Sequence, residues 1–251
     1  MSLHLTAPVY IRSIWDQFDH FPMETLTKAW VLKNRRQLYQ RGVAEMRAHR
    51  ERTGASGNCF DLAIWLWHEF EQAGVQAYAV GDFLGTPEAH VGVVAVGENG
   101  QRFLCDLGDL WIQPIAIDVP SEHLHEGFFT GARVQISQKS NYLHVDYHRP
   151  NQKVSHQAYD LSPISKAALL EAGEISQRNL SHPLVEIRLK EPGETIHWEF
   201  DNFKSYFSRM GGLEREEPCV SFEDWATRVA GRTGMNATYV HECLLATREK
   251  S

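Results

Sequence analysis

Ser56-Gly57-Asn58-Cys59-Phe60-Asp61-Leu62-Ala63-Ile64-Trp65-Leu66 is a small, polar, glycine-containing run that stops at a cysteine, where an apolar-periodic segment begins. Leu62, Trp65, Leu66, Glu69, Phe70 and Ala73 recur at three- and four-residue steps until Gly74, which reads as a helix with a glycine just past its end. Cys59 then falls in the first turn. Unpaired backbone N–H groups and the positive end of the helix dipole face its sulfur there and favour thiolate over thiol. The same N–H groups suit an oxyanion formed when that sulfur attacks a carbonyl, with Phe60 as the candidate donor. A free cysteine is most often a small buried hydrophobe, so the chemical reading of Cys59 rests on its partners further along the chain.

Outward from the cysteine helix, the period changes. Val75 to Phe83 alternates as a strand, Gly85-Thr86-Pro87-Glu88 is a loop, and His90 to Val96 is nearly all apolar, as expected of a strand buried on both faces. Glu98-Asn99-Gly100 is a hairpin signal, Arg102 to Leu107 returns as the next strand, and Ile112 to Ile117 extends the sheet. His90 opens one strand and Asp106 sits on its partner. A two-residue turn would turn them to opposite faces. A three-residue loop, with Gly100 at its left-handed position, would set Asp106 opposite Gly92, on the same face as His90 and one diagonal step away. Gly92 would then leave room beside the imidazole. Cysteine, histidine and aspartate in this order supply a nucleophile, a proton acceptor and a carboxylate that fixes the imidazole tautomer, provided the loop has odd length.

These stretches carry a resemblance. Gly57-Asn58-Cys59-Phe60-Asp61, His90-Val91-Gly92-Val93-Val94 and Leu104-Cys105-Asp106-Leu107-Gly108 are similar to the three catalytic blocks of arylamine N-acetyltransferases, in the transglutaminase-like, papain-like superfamily. Pro114-Ile115, Ala158 to Pro163 and Asn179 to Leu184 also resemble later segments of that family. The resemblance implies a Cys59–His90–Asp106 triad, an acyl pocket near Gly108 and Asp109, acyl-CoA as co-substrate with no tightly bound cofactor, and a small-molecule amine as acceptor. Asp109 stands where the family has a small or aromatic residue, and the block before the cysteine is Ala55-Ser56-Gly57-Asn58 in place of Arg-Gly-Gly.

The remaining chain sets the frame. Its 251 residues are 43% hydrophobic, enough for a sizeable core. Four cysteines without a CxxC pair argue for a reducing compartment and against a disulfide framework or zinc site. No apolar run approaches a membrane span, no basic-then-apolar leader opens the chain, and a net charge of −7 argues against nucleic acid, so a cytoplasmic protein is expected. Residues 8–55 read as two mixed helices, the first through Tyr10, Ile14, Trp15, Phe18 and Phe21, the second from Leu26 to Met46. Lys28, Lys33, Arg35, Arg36, Arg41, Arg47, Arg50 and Arg52 read as a solvated face, with an anion site as the sharper alternative. His144, Asp146 and His148 alternate on one strand as a polar exposed face, a metal being the alternative. Pro163 to Ala172 reads as a helix ended by Gly173, Ser181 to Lys190 and Thr195 to Phe200 as a hairpin, and Ser221 and Asn236 as caps of two last helices.

The fold class expected is α+β: a helical region over residues 1–74 carrying Cys59, an antiparallel sheet or small barrel over 75–150 carrying His90 and Asp106, and an α/β region over 151–251 covering the cleft. The function expected is acyl transfer from a thioester to an amine. A thiol hydrolase of the same superfamily and a non-catalytic binding module on the same scaffold are the alternatives.

Overall fold

The structure is a computed structural model that describes residues 6–35, 37–119, 122–179 and 183–248. The chain begins with α1 (Val9–Trp15), a 3-10 turn (Asp16–Phe18), β1 (Met23–Glu24), α2 (Leu26–Arg35), α3 (Val43–Thr53) and α4 (Cys59–Gln72). A run of strands comes next: β2 (Ala77–Asp82), β3 (His90–Val96), β4 (Arg102–Cys105), β5 (Ile115–Ala116), β6 (Leu124–Glu126), β7 (Arg133–Lys139), β8 (Tyr142–His148) and β9 (Val154–Ile164). Then come α5 (Lys166–Arg178), β10 (Leu184–Glu191), β11 (Glu194–Asp201), β12 (Lys204–Arg209), β13 (Gly212–Arg215), α6 (Phe222–Thr233) and α7 (Ala237–Arg248). Among the described residues no helix is long and apolar enough to cross a membrane.

Two antiparallel sheets organise the chain. The larger has the order β5-β4-β3-β2-β9-β8-β7-β6. It curls almost into a barrel, and the Ile112 N–H donates to the Gly127 carbonyl at 2.9 Å, so the chain entering β5 meets the chain leaving β6. The smaller has the order β1-β10-β11-β12-β13. The architecture is the α+β arrangement expected. Two expected boundaries fall inside it: β9 continues the larger sheet past residue 150, and β1 belongs to the smaller sheet.

Helix α4 forms because its apolar residues lie on one face and its start is doubly capped. Phe60, Leu62, Leu66 and Phe70 are fully buried in one core with Ile11, Trp15, Phe18 and strands β2 to β4. Each such side chain withdrawn from water contributes about 1.5–3 kcal/mol. Asn58 is the N-cap: its Oδ1 accepts from the N–H groups of Phe60 (3.1 Å) and Asp61 (3.2 Å), while Asp61 Oδ2 accepts from the Asn58 N–H at 3.2 Å. This is a capping box. Gly74, at φ 72°, lies just past the helix end, as its sequence position suggests. A second core joins Leu26 and Ala55 to Val185, Trp198, Phe200, Trp225, Val229 and Leu244, so α2, α6 and α7 pack on the smaller sheet.

The β3–β4 register is the odd-length one. Val93 pairs with Cys105 and Val96 with Arg102, and the Gly97 N–H donates to the Gln101 carbonyl at 2.8 Å across Glu98-Asn99-Gly100. Gly100 sits at φ 80°, in the left-handed position that closes such a loop.

Several expectations are corrected. The second helical pattern divides into α2 and α3, and the two-residue β1 precedes α2; too short for an alternation, β1 leaves no periodic signal. Pro163 belongs to β9, and α5 runs through Gly173 to Arg178. That glycine admits a neighbour: a Cβ there would lie 2.5 Å from Gln40 Oε1. Lys28 and Arg41 are not solvated. Both are buried, Lys28 donating to the Ser176 carbonyl at 2.8 Å and Arg41 pairing with Asp61 at 3.0 Å. Arg36 and residues 180–182 of the Asn179–Leu184 stretch lie outside the described residues.

Candidate active site

A buried polar network builds the turn before Cys59. Arg41 Nη2 lies 3.0 Å from Asp61 Oδ2, with side chains 3% and 1% exposed, and Arg41 Nη1 meets His49 Nδ1 at 2.8 Å. Burial, and then the Arg41 charge, press the His49 pKa down to about 4, so that ring is neutral. Gln40 Nε2 donates to Asp61 Oδ1 at 2.9 Å, and Asn58 Nδ2 donates to Ser176 Oγ at 3.1 Å, which binds α5 to the start of α4. From the other side, Glu24 Oε1 accepts the Gly57 N–H at 2.7 Å. Gly57 sits at φ 102°, and a Cβ there would lie 2.6 Å from Arg41 Nη2, so glycine is required by both conformation and space.

Cys59 is half-buried at the first position of α4. The expected oxyanion donor needs correcting. The Phe60 N–H is already taken by the Asn58 cap, because the side chain that starts the helix consumes the first-turn donors. The N–H of Cys59 itself has no hydrogen-bond partner among the described residues.

His90 opens β3 and Asp106 lies just past β4, and the register brings them together. His90 Nε2 lies 2.8 Å from Asp106 Oδ2. Nδ1 is thereby left for the sulfur of Cys59, with which the imidazole interacts. Asp106 is fully buried; besides His90 it accepts the Tyr159 hydroxyl and, at 2.9 Å, the Asp109 N–H. Burial opposes charge on both groups, but each favours the charged form of the other. The His90 pKa is held well above its ordinary 6.5 and the Asp106 pKa below its ordinary 3.8. With Asp106, itself held by the Tyr159 hydroxyl, fixing Nε2, the ring has one orientation toward Cys59.

Gly108, rather than Gly92, clears the site. A Cβ on Gly92 would meet Leu104 and Tyr159, whereas one on Gly108 would lie 2.6 Å from Cys59 Cβ, 2.8 Å from His90 Cε1 and 3.2 Å from Asp106 Oδ1. All three residues therefore crowd one point. Gly108→Ala is expected to slow alkylation of Cys59 by iodoacetamide about 100-fold, the scale on which small misplacements are felt. An unchanged rate would mean that the three groups do not converge as described.

Asp109 faces the same imidazole. Its Oδ1 lies 3.7 Å from His90 Nε2, and its Oδ2 accepts from the Tyr147 hydroxyl, which in turn accepts from Trp111 Nε1 at 3.1 Å. Burial, and then the Asp106 charge, push the Asp109 pKa up. Among the described residues, His90, Asp106 and Asp109 form the one group whose ligand atoms all lie within 4.8 Å. Three hydrogen bonds already claim the Asp106 oxygens, so the arrangement suits proton handling better than metal coordination. On the His144/Asp146/His148 face, Asp146 pairs with His156 at 2.6 Å across to β9 and His144 stacks on Tyr142. Sequence reasoning placed Arg41 on a solvated face and gave Tyr147 and Tyr159 no role in the site; no local pattern marks any of the three as part of it.

No family model matches the sequence, and no curated protein matches it significantly. Solved structures do match. The arylamine N-acetyltransferase of Mycobacterium marinum superposes with a TM-score of 0.76 at 11% identity, over 96% of this chain and 92% of that one. That of Salmonella typhimurium gives 0.72 at 13% identity, over 97% and 94%. One from Bacillus cereus, described as having a unique Cys-His-Glu catalytic triad, gives 0.67 at 12% identity, over 94% of each. A further M. marinum structure, in complex with CoA, gives 0.73 at 10% identity, over 95% and 91%. The protein is thus an α+β protein of two antiparallel sheets with a cysteine at the head of a helix. More narrowly, it has the arylamine N-acetyltransferase fold, along nearly its whole length.

Proposed function

We propose that this protein is a cysteine N-acyltransferase in which Cys59, His90 and Asp106 carry acyl transfer from a thioester donor to an amine. The observation that supports it most is the 2.8 Å His90–Asp106 contact, with Cys59 and His90 meeting over Gly108. His90, its proton affinity raised by Asp106, takes the thiol proton and holds it beside the sulfur. The sulfur adds to the thioester carbonyl, and the oxygen becomes an oxyanion that the free Cys59 N–H can stabilise. Collapse breaks the donor's C–S bond, and the departing thiolate takes the proton from His90. The acceptor nitrogen then attacks the acyl-cysteine, a C–N bond forms, the electron pair returns to the Cys59 sulfur, and the nitrogen's proton passes to His90.

The likeness to a fold solved with CoA supports acyl-CoA as the donor. Mixing the protein with acetyl-CoA is expected to add the mass of one acetyl group, mapped to Cys59 and absent from Cys59→Ala. Discharge should accelerate with added amine. No adduct from acetyl-CoA or from longer acyl-CoA thioesters would overturn the reading. An adduct that water discharges at the same rate with or without amine would make the protein a thiol hydrolase.

A further inference from the structure

Beside the triad, on the far side of Asp109, lies a polar cavity of about 230 Å³ between the larger sheet and the smaller one. It is smaller than the roughly 300–1,000 Å³ of pockets for drug-sized ligands, so its occupant is small. Asp109, Tyr147 and Arg149 line it from one side, and Glu186, His197 and Glu199 from β10 and β11 on the other.

The charges there are unbalanced. Glu186 and Glu199 are direct partners in the β10–β11 ladder, and like charges placed directly opposite destabilise a sheet. Glu199 makes no ion pair or hydrogen bond among the described residues, and the group facing the Glu186 carboxyl is the His197 imidazole, its Nε2 3.6 Å away. His197 does not offset them. It is 5% exposed and makes no hydrogen bond among the described residues. Burial holds its pKa down to about 3, so it is neutral. Arg149 is the one arginine or lysine lining the cavity, its Nη1 donating to Ser155 at 2.7 Å, and His156, also in the lining, is turned to Asp146 at 2.6 Å. Arg188, one step along the ladder, is drawn off to the Trp111 carbonyl and to Asp19. Burial, and then the neighbouring carboxyls, raise the pKa of Glu186, Glu199 and Asp109. The cavity therefore combines three carboxyls short of cations with a buried imidazole short of a hydrogen bond, and Asp109 connects it to His90.

We propose that this cavity is the acceptor subsite and takes a small aliphatic amine bearing a second positive charge, a diamine in the simplest case, in place of a flat apolar arylamine. Glu186 and Glu199 hold the ammonium that keeps its proton, and His197 accepts one of its hydrogens. The other amine, in its neutral form, lies past Asp109 beside the Cys59 thioester. Its lone pair forms the new C–N bond as the C–S bond breaks, the electron pair returns to sulfur, and the nitrogen's proton passes to His90. The proposal rests on the acyltransferase reading for its chemistry, while the binding site stands on the cavity alone.

Calorimetry with 1,4-diaminobutane separates the two. The wild-type protein should bind it at least about tenfold more tightly than butylamine or aniline. Binding should weaken as pH falls, because protonated carboxyls no longer hold the ammonium. In the Glu186→Gln/Glu199→Gln variant the preference for the diamine should collapse. Equal binding of the three amines, or a preference that survives the double substitution, would overturn the subsite. The rate of discharge of acetyl-Cys59 by each amine is the second readout, and faster discharge by aniline than by 1,4-diaminobutane would also overturn it. Failure of Cys59 to acetylate at all would count against the acyltransferase reading, and the calorimetry would still decide the subsite.

Discussion

Asp106→Asn is expected to lower acetyl transfer by about 10⁴-fold with little change in fold. An asparagine amide can offer His90 Nε2 an N–H where the carboxylate offers only acceptors. The imidazole would then carry its hydrogen on the wrong nitrogen and could not take the proton of Cys59. The expected readouts are kcat/KM with acetyl-CoA and the rate of Cys59 alkylation, both falling together. The pH dependence of stability should change as well. The lowered Asp106 pKa gives stability that is present above the ordinary value of 3.8 and lost as pH falls through the folded value. The raised His90 pKa gives stability that is present below 6.5 and lost as pH rises through the folded value. The pair thus contributes fully between those two ordinary values, and Asp106→Asn should flatten that window. A loss of less than tenfold in turnover would show that the carboxylate does not orient the ring.

Arg41→Met is expected to cost about 3–5 kcal/mol, because it strands the Asp61 carboxylate where both partners are almost fully hidden from water. Denaturant midpoints measure this. The double variant Arg41→Met/Asp61→Leu should recover part of the loss, since it removes the uncompensated charge. The single variant should also slow Cys59 alkylation, because Asp61 closes the capping box on which Cys59 sits. A cost below about 1 kcal/mol would mean that the pair does not hold the turn.

The parts of this site that sequence could show are the local ones. The Cys59 helix announces itself by its apolar spacing and by Asn58 and Gly74 at its ends. The His90–Asp106 pairing comes from loop parity, since a strand repeats every two residues and the loop had either odd or even length. The hidden parts come from afar. Tyr159 reaches Asp106 across 53 residues and Tyr147 reaches Asp109 across 38. The basic residues of α2 and the loop after it look like a solvated face because nothing local reports that Arg41 and Lys28 turn inward. Phe60 illustrates a different limit: a free first-turn N–H is a property of a bare helix, and Asn58 had already claimed it. Gly173 reads as a helix stop only while Gln40 is out of view.

Strand β1 has only two residues, yet it touches both halves of the proposed chemistry. Met23 and Glu24 pair with Glu186 and Val185, and Glu24 also holds Gly57 through its N–H to the Gly57 carbonyl at 2.9 Å and its carboxyl oxygen to the Gly57 N–H at 2.7 Å. The wall that carries Glu186 and the loop that aims Cys59 therefore share one rivet. A chimera that imports residues 184–215 from another protein to change selectivity has to import residues 23–27 with them, or the graft will arrive detached from the nucleophile it is meant to serve.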